Sequence, residues 1–274
     1  MLDSETFVYP IARPLDEVYA FLLEPANYGK WAFVHDAQMR YLGGRDWAVE
    51  TTVGPRIVRF PERNDFGVLD LGLMRTEGDA PHPAGLWAIA NGAGSVLIYT
   101  NFRWPGMSAL EWASAKAWIN ADYLALQSLL EARGQVGPMP PAKVVDFAIE
   151  QPIEAVYDFL LVPENFARWA YVGDTEMRHL GANEWAAETS VGPRILDFAT
   201  RNAYFDLTHA ARSPGGVPHP IPMRLMRNGD GTHVTYVFLR YAGQSEPEWR
   251  SAIEWVSADL TALKSYLEGG RRLK

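Results

Sequence analysis

The chain has 274 residues, 48% of them apolar and 21% charged, which suits one large or two ordinary domains and excludes wholesale disorder. A formal charge of −8 with no block of Lys and Arg argues against nucleic acid as a partner. There is no cysteine, so disulfides, thiolate nucleophiles and cysteine-ligated metals are excluded.

The opening MLDSETFVYP lacks the basic start and long apolar run of a signal peptide. No apolar run approaches the ~20 residues that span a bilayer, and the expectation is a cytoplasmic protein with no membrane span. TFVYPI around Phe7 predicts a first strand. PLDEVYAFL then predicts an amphipathic helix, with Pro14 acceptable in a first turn, and a short helix is expected over Pro25 to Trp31. Six β-type runs follow: AQMRYL, WAVETT, RIVRF, GVLDLGL, LWAIA and SVLIYTNF. Asn91-Gly92 marks a hairpin between the last two. Ser108 and Glu111 have the spacing of a capping box, opening a helix to Glu131 that would be about 36 Å long. GQVGPMPPAK, from Gly134 to Lys143, reads as a linker. After it the series begins again with KVVDFAI.

The second series is a copy of the first. WAVETTVGPRI (47–57) returns as WAAETSVGPRI (185–195), an offset of 138. Between Pro14–Asn64 and Pro152–Asn202, 28 of 51 positions are identical. Further on, a one-residue deletion makes the offset 137, so that Asn91-Gly92 meets Asn228-Gly229 and Trp112 meets Trp249. A period this long means complete domains rather than solenoid units, here 1–133 and 144–274 with the linker 134–143 between them. The apolar stripe of the closing helix is cleanest in the second copy, at Trp249, Ile253, Val256, Leu260, Leu263 and Leu267, whereas the first copy has Lys116 in place of Ile253. Trp118 and Trp255 lie off the stripe and are expected to pack against the sister copy, making an intramolecular pseudo-dimer, or failing that against a second chain, with a loop of the same copy as the alternative cover for Trp118.

Strand, two helices, six strands and a long helix are satisfied by an α+β fold in which a curved antiparallel sheet wraps around the helix. That order, with VETTVGPRIVRF, RNDFGVLD and NGAGSVLIYTNFRWPGMS, resembles the START-like (SRPBCC) superfamily, specifically its polyketide cyclase/dehydrase-type proteins. The resemblance covers both copies and implies two tandem helix-grip domains, each holding a small hydrophobic molecule between sheet and helix. It leaves open a cyclase or aromatase that needs no cofactor, a non-catalytic carrier or sensor, and an interaction module with filled interiors.

Strand alternation puts Arg56 and Arg194 on the concave face, as ligand contacts or as structural partners of Glu50 and Glu188. Matching Leu69-Asp70-Leu71 to Phe205-Asp206-Leu207 sets His209 opposite Leu73, an inward histidine that is a candidate general base or a hydrogen-bonded core residue. Tyr99 and Tyr236 share a strand face where a phenol orients a ligand oxygen. The candidate catalytic set is therefore His209, Arg194 and Tyr236. The candidate ligand contacts are Arg56, Glu50, Tyr99, Glu188 and Trp185. Asp122 and Asp259 flank the stripe as pocket carboxylates or edge charges, and His35 faces Gly173 across the copies. With His209 and Arg224 where the first copy has Leu73 and Trp87, the second interior is expected to be the more polar.

Overall fold

The computed structural model describes residues 1–32, 39–51, 54–170, 177–189 and 192–269. His35 and Gly173 lie outside the described residues. The chain divides into two compact units, Leu2–Pro140 and Pro141–Lys274.

In the first unit β1 (Ser4–Ile11) leads into α1 (Leu15–Leu23) and the single turn α2 (Pro25–Tyr28). β2 (Arg40–Gly43), β3 (Asp46–Thr51), β4 (Gly54–Arg59), β5 (Leu71–Met74), β6 (His82–Asn91) and β7 (Gly94–Phe102) precede α3 (Ala109–Glu131). The seven strands form one antiparallel sheet in the order β1-β7-β6-β5-β4-β3-β2. α3 starts at the expected capping box, Ser108 and Glu111 each bonding the other's backbone. After α3 the chain stays on this unit: Val136 N donates to Ala12 O and Asn91 Nδ2 to Pro140 O.

The second unit repeats the order with β8 (Ala142–Ile149), α4 (Ile153–Leu160), a 3₁₀ turn at Pro163–Arg168, β9 (Arg178–Gly181), β10 (Glu184–Thr189), β11 (Gly192–Asp197) and β12 (His209–Arg212). β13 (His219–Ile221), β14 (Met223–Asn228), β15 (Gly231–Leu239) and α5 (Glu246–Leu267) complete it. Here β6 has been cut in two. Pro222 stands where the first unit has Gly85, and a proline cannot donate to the ladder. The strands accordingly divide into β13-β12-β11-β10-β9 and β14-β15-β8. Each unit thus has the helix-grip arrangement, antiparallel strands closed by a long C-terminal helix. Among the described residues no helix is long and apolar enough to cross a membrane.

The strings shared by the copies turn out to satisfy backbone. In the β3–β4 and β10–β11 hairpins, Thr51 Oγ1 donates to Gly54 O (2.7 Å) and Thr189 Oγ1 to Gly192 O (2.8 Å). Gly54 and Gly192 have φ of 93° and 92°, a region open to glycine. The Tyr19 hydroxyl accepts from Asn64 N and donates to Asn64 O, and Tyr157 clasps Asn202 in the same way. Asn64 Oδ1 then accepts from Phe66 N and Val68 N, which is why GVLDLGL is a strand only from Leu71 onward.

This turn depends on Gly67 at φ 68°, where an added Cβ would run into Ala88 O. The second unit places Phe205 here at φ 53°, its ring held against Tyr157 at 5.1 Å. Gly67→Ala has no such ring contact to offset the strain. It is expected to destabilise the first unit by about 1–3 kcal/mol, read as a lowered urea midpoint.

Candidate functional site

The two closing helices seat differently on their sheets. In the second unit Trp249, Ile253, Val256, Leu260, Leu263 and Leu267 all join the core, as the periodicity predicts. In the first, the stripe holds only from Ile119 through Tyr123, Leu126 and Leu130. Lys116 occupies the place of Ile253, and its ammonium turns to Glu5 Oε2 (3.2 Å) beside the Trp112 ring. The N-terminal half of α3 therefore stands off the sheet. Between them lies a cavity of about 770 Å³.

Its walls come from α3 (Glu111, Ser114, Ala115, Trp118, Asp122, Tyr123), from the sheet (Arg56, Val58, Leu71, Leu73, Tyr99, Asn101) and from Tyr28, Trp31, Arg75 and Trp104. At the inner end aromatic rings crowd together. Tyr123 lies 4.9 Å from Tyr9, 5.0 Å from Tyr99 and 5.3 Å from Trp31, ring to ring. Burial pushes the hydroxyls of Tyr9, Tyr28, Tyr99 and Tyr123 well up, and the Asp122 carboxylate adds to the effect in each. These phenols stay protonated at neutral pH and act as O–H donors.

At the outer end, Arg56 and Arg75 line one wall. Burial and then the neighbouring Arg75 charge lower the Arg56 pKa. Arg56 Nη1 donates to Pro55 O (2.7 Å), and Arg75 lies over the Trp104 ring at 4.7 Å. Trp104 in turn stacks on His82 at 4.2 Å.

Among the described residues the second unit shows a void of about 20 Å³, lined by Leu160, Phe166, Trp169, Phe198, Leu207, His209 and Met223 among others, which meets the lining of the large cavity at three equivalent positions. Phe166, Trp169 and His209 stand where Tyr28, Trp31 and Leu71 line the large cavity. Phe147 and Leu260 replace Tyr9 and Tyr123. The second interior keeps one of the four phenols but buries Asp206, Arg224, His233 and Asp259, so its core has the more polar groups, while the larger, hydroxyl-lined space belongs to the first copy.

Among the residues singled out from sequence, Arg56 and Tyr99 line the large cavity. Glu50 pairs with Pro55 and Val49 with Arg56, so Glu50 is on the other sheet face from Arg56, and it is exposed. Glu188 stands likewise opposite Pro193, and Arg194 Nη1 donates to Pro193 O (2.9 Å). Neither expected Arg–Glu pair is formed among the described residues. Trp185 packs near His179, ring to ring at 5.0 Å. Tyr236 is buried against Phe238 at 4.8 Å, and burial, then Asp259, raises its pKa. Trp118, expected to face the sister copy, lines the cavity of its own.

His209 does point inward, but its expected partner position needs correcting. His209 pairs with Ile221 just as Leu71 pairs with Ala84, and β12 follows β5 at offset 138. It is therefore the counterpart of Leu71, not Leu73. The match of Leu-Asp-Leu with Phe-Asp-Leu was a coincidence of letters, and the deletion falls in the following turn. Arg75, Trp104, Tyr28 and Tyr123 escaped sequence reasoning. Comparing the copies position by position would have flagged the tyrosines, since the second has Phe147, Phe166 and Leu260 in place of Tyr9, Tyr28 and Tyr123.

No protein-family model matches the chain, and no curated protein does. Among solved structures it is similar to DynU16, a protein of the dynemicin biosynthetic locus, at 18% identity over 97% of this chain and 98% of that one, with a TM-score of 0.38. It is similar to BexL, a di-domain ARO/CYC from the BE-7585A biosynthetic pathway, at 14% identity over 100% of both chains, TM-score 0.38. A third similar structure is Aha1 from Colwellia psychrerythraea, at 13% identity over 48% of this chain and 98% of that one, TM-score 0.39.

Two outcomes follow from this geometry. Lys116→Ile, which copies the second helix, is expected to raise the unfolding midpoint and to narrow the cavity; burying one Ile side chain stabilises by about 1.5–3 kcal/mol. Burial is also the leading cause that lowers the pKa of His82, His209 and His233. A histidine held below its unfolded value binds fewer protons when folded, so stability is full above about pH 6.5 and falls as pH drops through that value. His209→Leu, with the residue of the first copy, should flatten the decline of Tm between about pH 7 and 5.

Proposed function

We propose that the first copy binds a small, largely apolar molecule bearing oxygen functions, and that the second copy is a closed scaffold. The observation that carries this reading is the contrast in volume, about 770 Å³ against about 20 Å³, between two copies of one domain. Aromatic walls suit a flat or folded carbon skeleton. Tyr99 and Tyr123 would donate to its oxygens at the inner end, and Arg56 would do so at the outer. Such a site is a carrier or sensor as it stands.

Asp122 favours a second reading, a cyclase that needs no cofactor. Its carboxylate would take an α-proton from a β-dicarbonyl chain, and the resulting enolate carbon would attack a ketone carbon of the same chain. The new alkoxide would take a proton from a phenol. The carbon–carbon bond forms without an oxidant, and any water lost afterwards leaves with that hydroxyl.

The test uses the native full chain. Mass spectrometry under non-denaturing conditions should detect a co-purifying small molecule, and a naphthalene probe should quench the tryptophan emission of Trp31, Trp104 and Trp118. Ala115→Trp, on the cavity wall, should weaken probe binding by about tenfold or more. Ala252→Trp, at the matching place in the second copy, should leave it unchanged. Equal effects of the two variants would overturn the assignment to the first copy.

A further inference from the structure

Arg75 directly follows β5, and its charge acts on Arg56 in β4. β4 and β5 pair Ile57 with Met74 and Val58 with Leu73, and continuing that register by one residue sets Arg56 opposite Arg75. Directly opposed Cβ atoms in an antiparallel pair are about 4.5–5.5 Å apart, and like charges placed there destabilise the sheet. Both side chains line the same cavity.

Among the described residues no carboxylate forms an ion pair with either arginine, and Arg56 donates to the neighbouring Pro55 carbonyl. Two carboxylates feel the Arg75 charge without coming within ion-pair distance, and each also accepts from a backbone N–H. Glu111 Oε2 accepts from Ser108 N (2.7 Å) and Asp79 Oδ2 from Thr76 N (2.8 Å). His82, behind Trp104, adds no charge: its ring is kept neutral by burial first, while Nε2 lies 2.9 Å from Phe102 O. Trp104 carries the Arg75 guanidinium on its face, which fixes its direction without cancelling its charge.

The second copy supplies the control. Its register pairs Ile195 with Arg212, so Arg194, the counterpart of Arg56, faces Ser213. The opposed cations are therefore confined to the copy that has a cavity.

We propose that Arg56 and Arg75 form a clamp for an anionic group, so that the ligand of the first copy is an amphipathic carboxylic acid with its carboxylate between the two guanidinium groups and its apolar body directed toward Tyr99 and Tyr123. The inference rests on the reading of this cavity as a site for apolar molecules and adds the charge of the ligand. Planar guanidinium groups bind a carboxylate through paired, charge-assisted hydrogen bonds, and the ligand removes the repulsion that the empty site carries.

The test compares 2-naphthoate with 2-naphthamide, the same skeleton with and without charge, by calorimetry or tryptophan quenching at pH 7.5. Naphthoate is expected to bind about tenfold or more tightly than naphthamide, and added salt should erode the difference. Arg75→Ser, the residue of the second copy, and Arg56→Gln should each reduce the preference to about threefold or less while naphthamide binding persists. Arg75→Lys keeps part of the preference, and Arg194→Gln changes nothing. Circular dichroism and Tm establish that each variant is folded. Equal binding of the two probes by the unaltered protein, or a preference that survives in Arg75→Ser, overturns the clamp and leaves the apolar site standing. Failure of both probes to bind removes the apolar site and the clamp together.

Discussion

How the closing helix seats on its sheet decides what each copy can do. A helix of 22 or 23 residues crosses the whole sheet, and its two halves can be fastened separately. The C-terminal half is fastened in both copies, by Tyr123, Leu126 and Leu130 in one and by Leu260, Leu263 and Leu267 in the other. The N-terminal half is fastened only where Ile253 follows Trp249 along the stripe. Burying an ammonium in that seam would cost several kcal/mol, more than the apolar contact returns. Lys116 turns to Glu5 at the rim instead, and the space beneath α3 stays open.

The remaining differences between the copies fall into two groups. Some are compensated exchanges. Arg59 bonds Asp46 at 2.7 Å through two nitrogens; the second copy has Asp197 in place of Arg59, and Glu184, in the place of Asp46, is bonded by Arg212. Trp87 Nε1 donates to Phe66 O, and Arg224 Nε, at the equivalent position, donates to the equivalent carbonyl of Tyr204. Such pairs keep the same backbone groups satisfied by other means. Around the cavity no such exchange occurs. Tyr9, Tyr28 and Tyr123 become Phe147, Phe166 and Leu260 and Arg75 becomes Ser213, while Tyr99 is kept as Tyr236 and His209 takes the place of Leu71.

Much of the fold was legible in the sequence because its determinants are local. The capping boxes, the Asn-Gly hairpins and the helix stripe depend on residues close together in the chain, and the duplication shows in a direct match of letters at a fixed offset. What depends on register was harder to read. His209 was matched to the wrong neighbour because two short strings agreed by chance, while the ladder fixes Leu71 as its counterpart. The opposition of Arg56 and Arg75 spans a long loop and appears in no motif. Pro222 announces a broken ladder to anyone who knows which strand it sits in, and Lys116 announced the open helix as an exception in an otherwise regular stripe. The exception was visible, but its consequence required knowing what lay beneath.

The parts the two copies share and the parts they do not have different physical work. The Tyr–Asn clasp, the Thr–Gly hairpin and the capping box each satisfy backbone groups that would otherwise be unpaired, and any sequence adopting this fold must solve those problems somehow. They say nothing about a ligand. The divergent residues sit where side chains meet the interior, and there one copy carries more buried phenols than the other, and two arginines at adjoining positions where the other has one. The first copy keeps these costs in its lining, and the ligand proposed for it is what would offset them. The comparison within a single chain holds composition, length and fold constant, so the costs can be assigned to the lining itself.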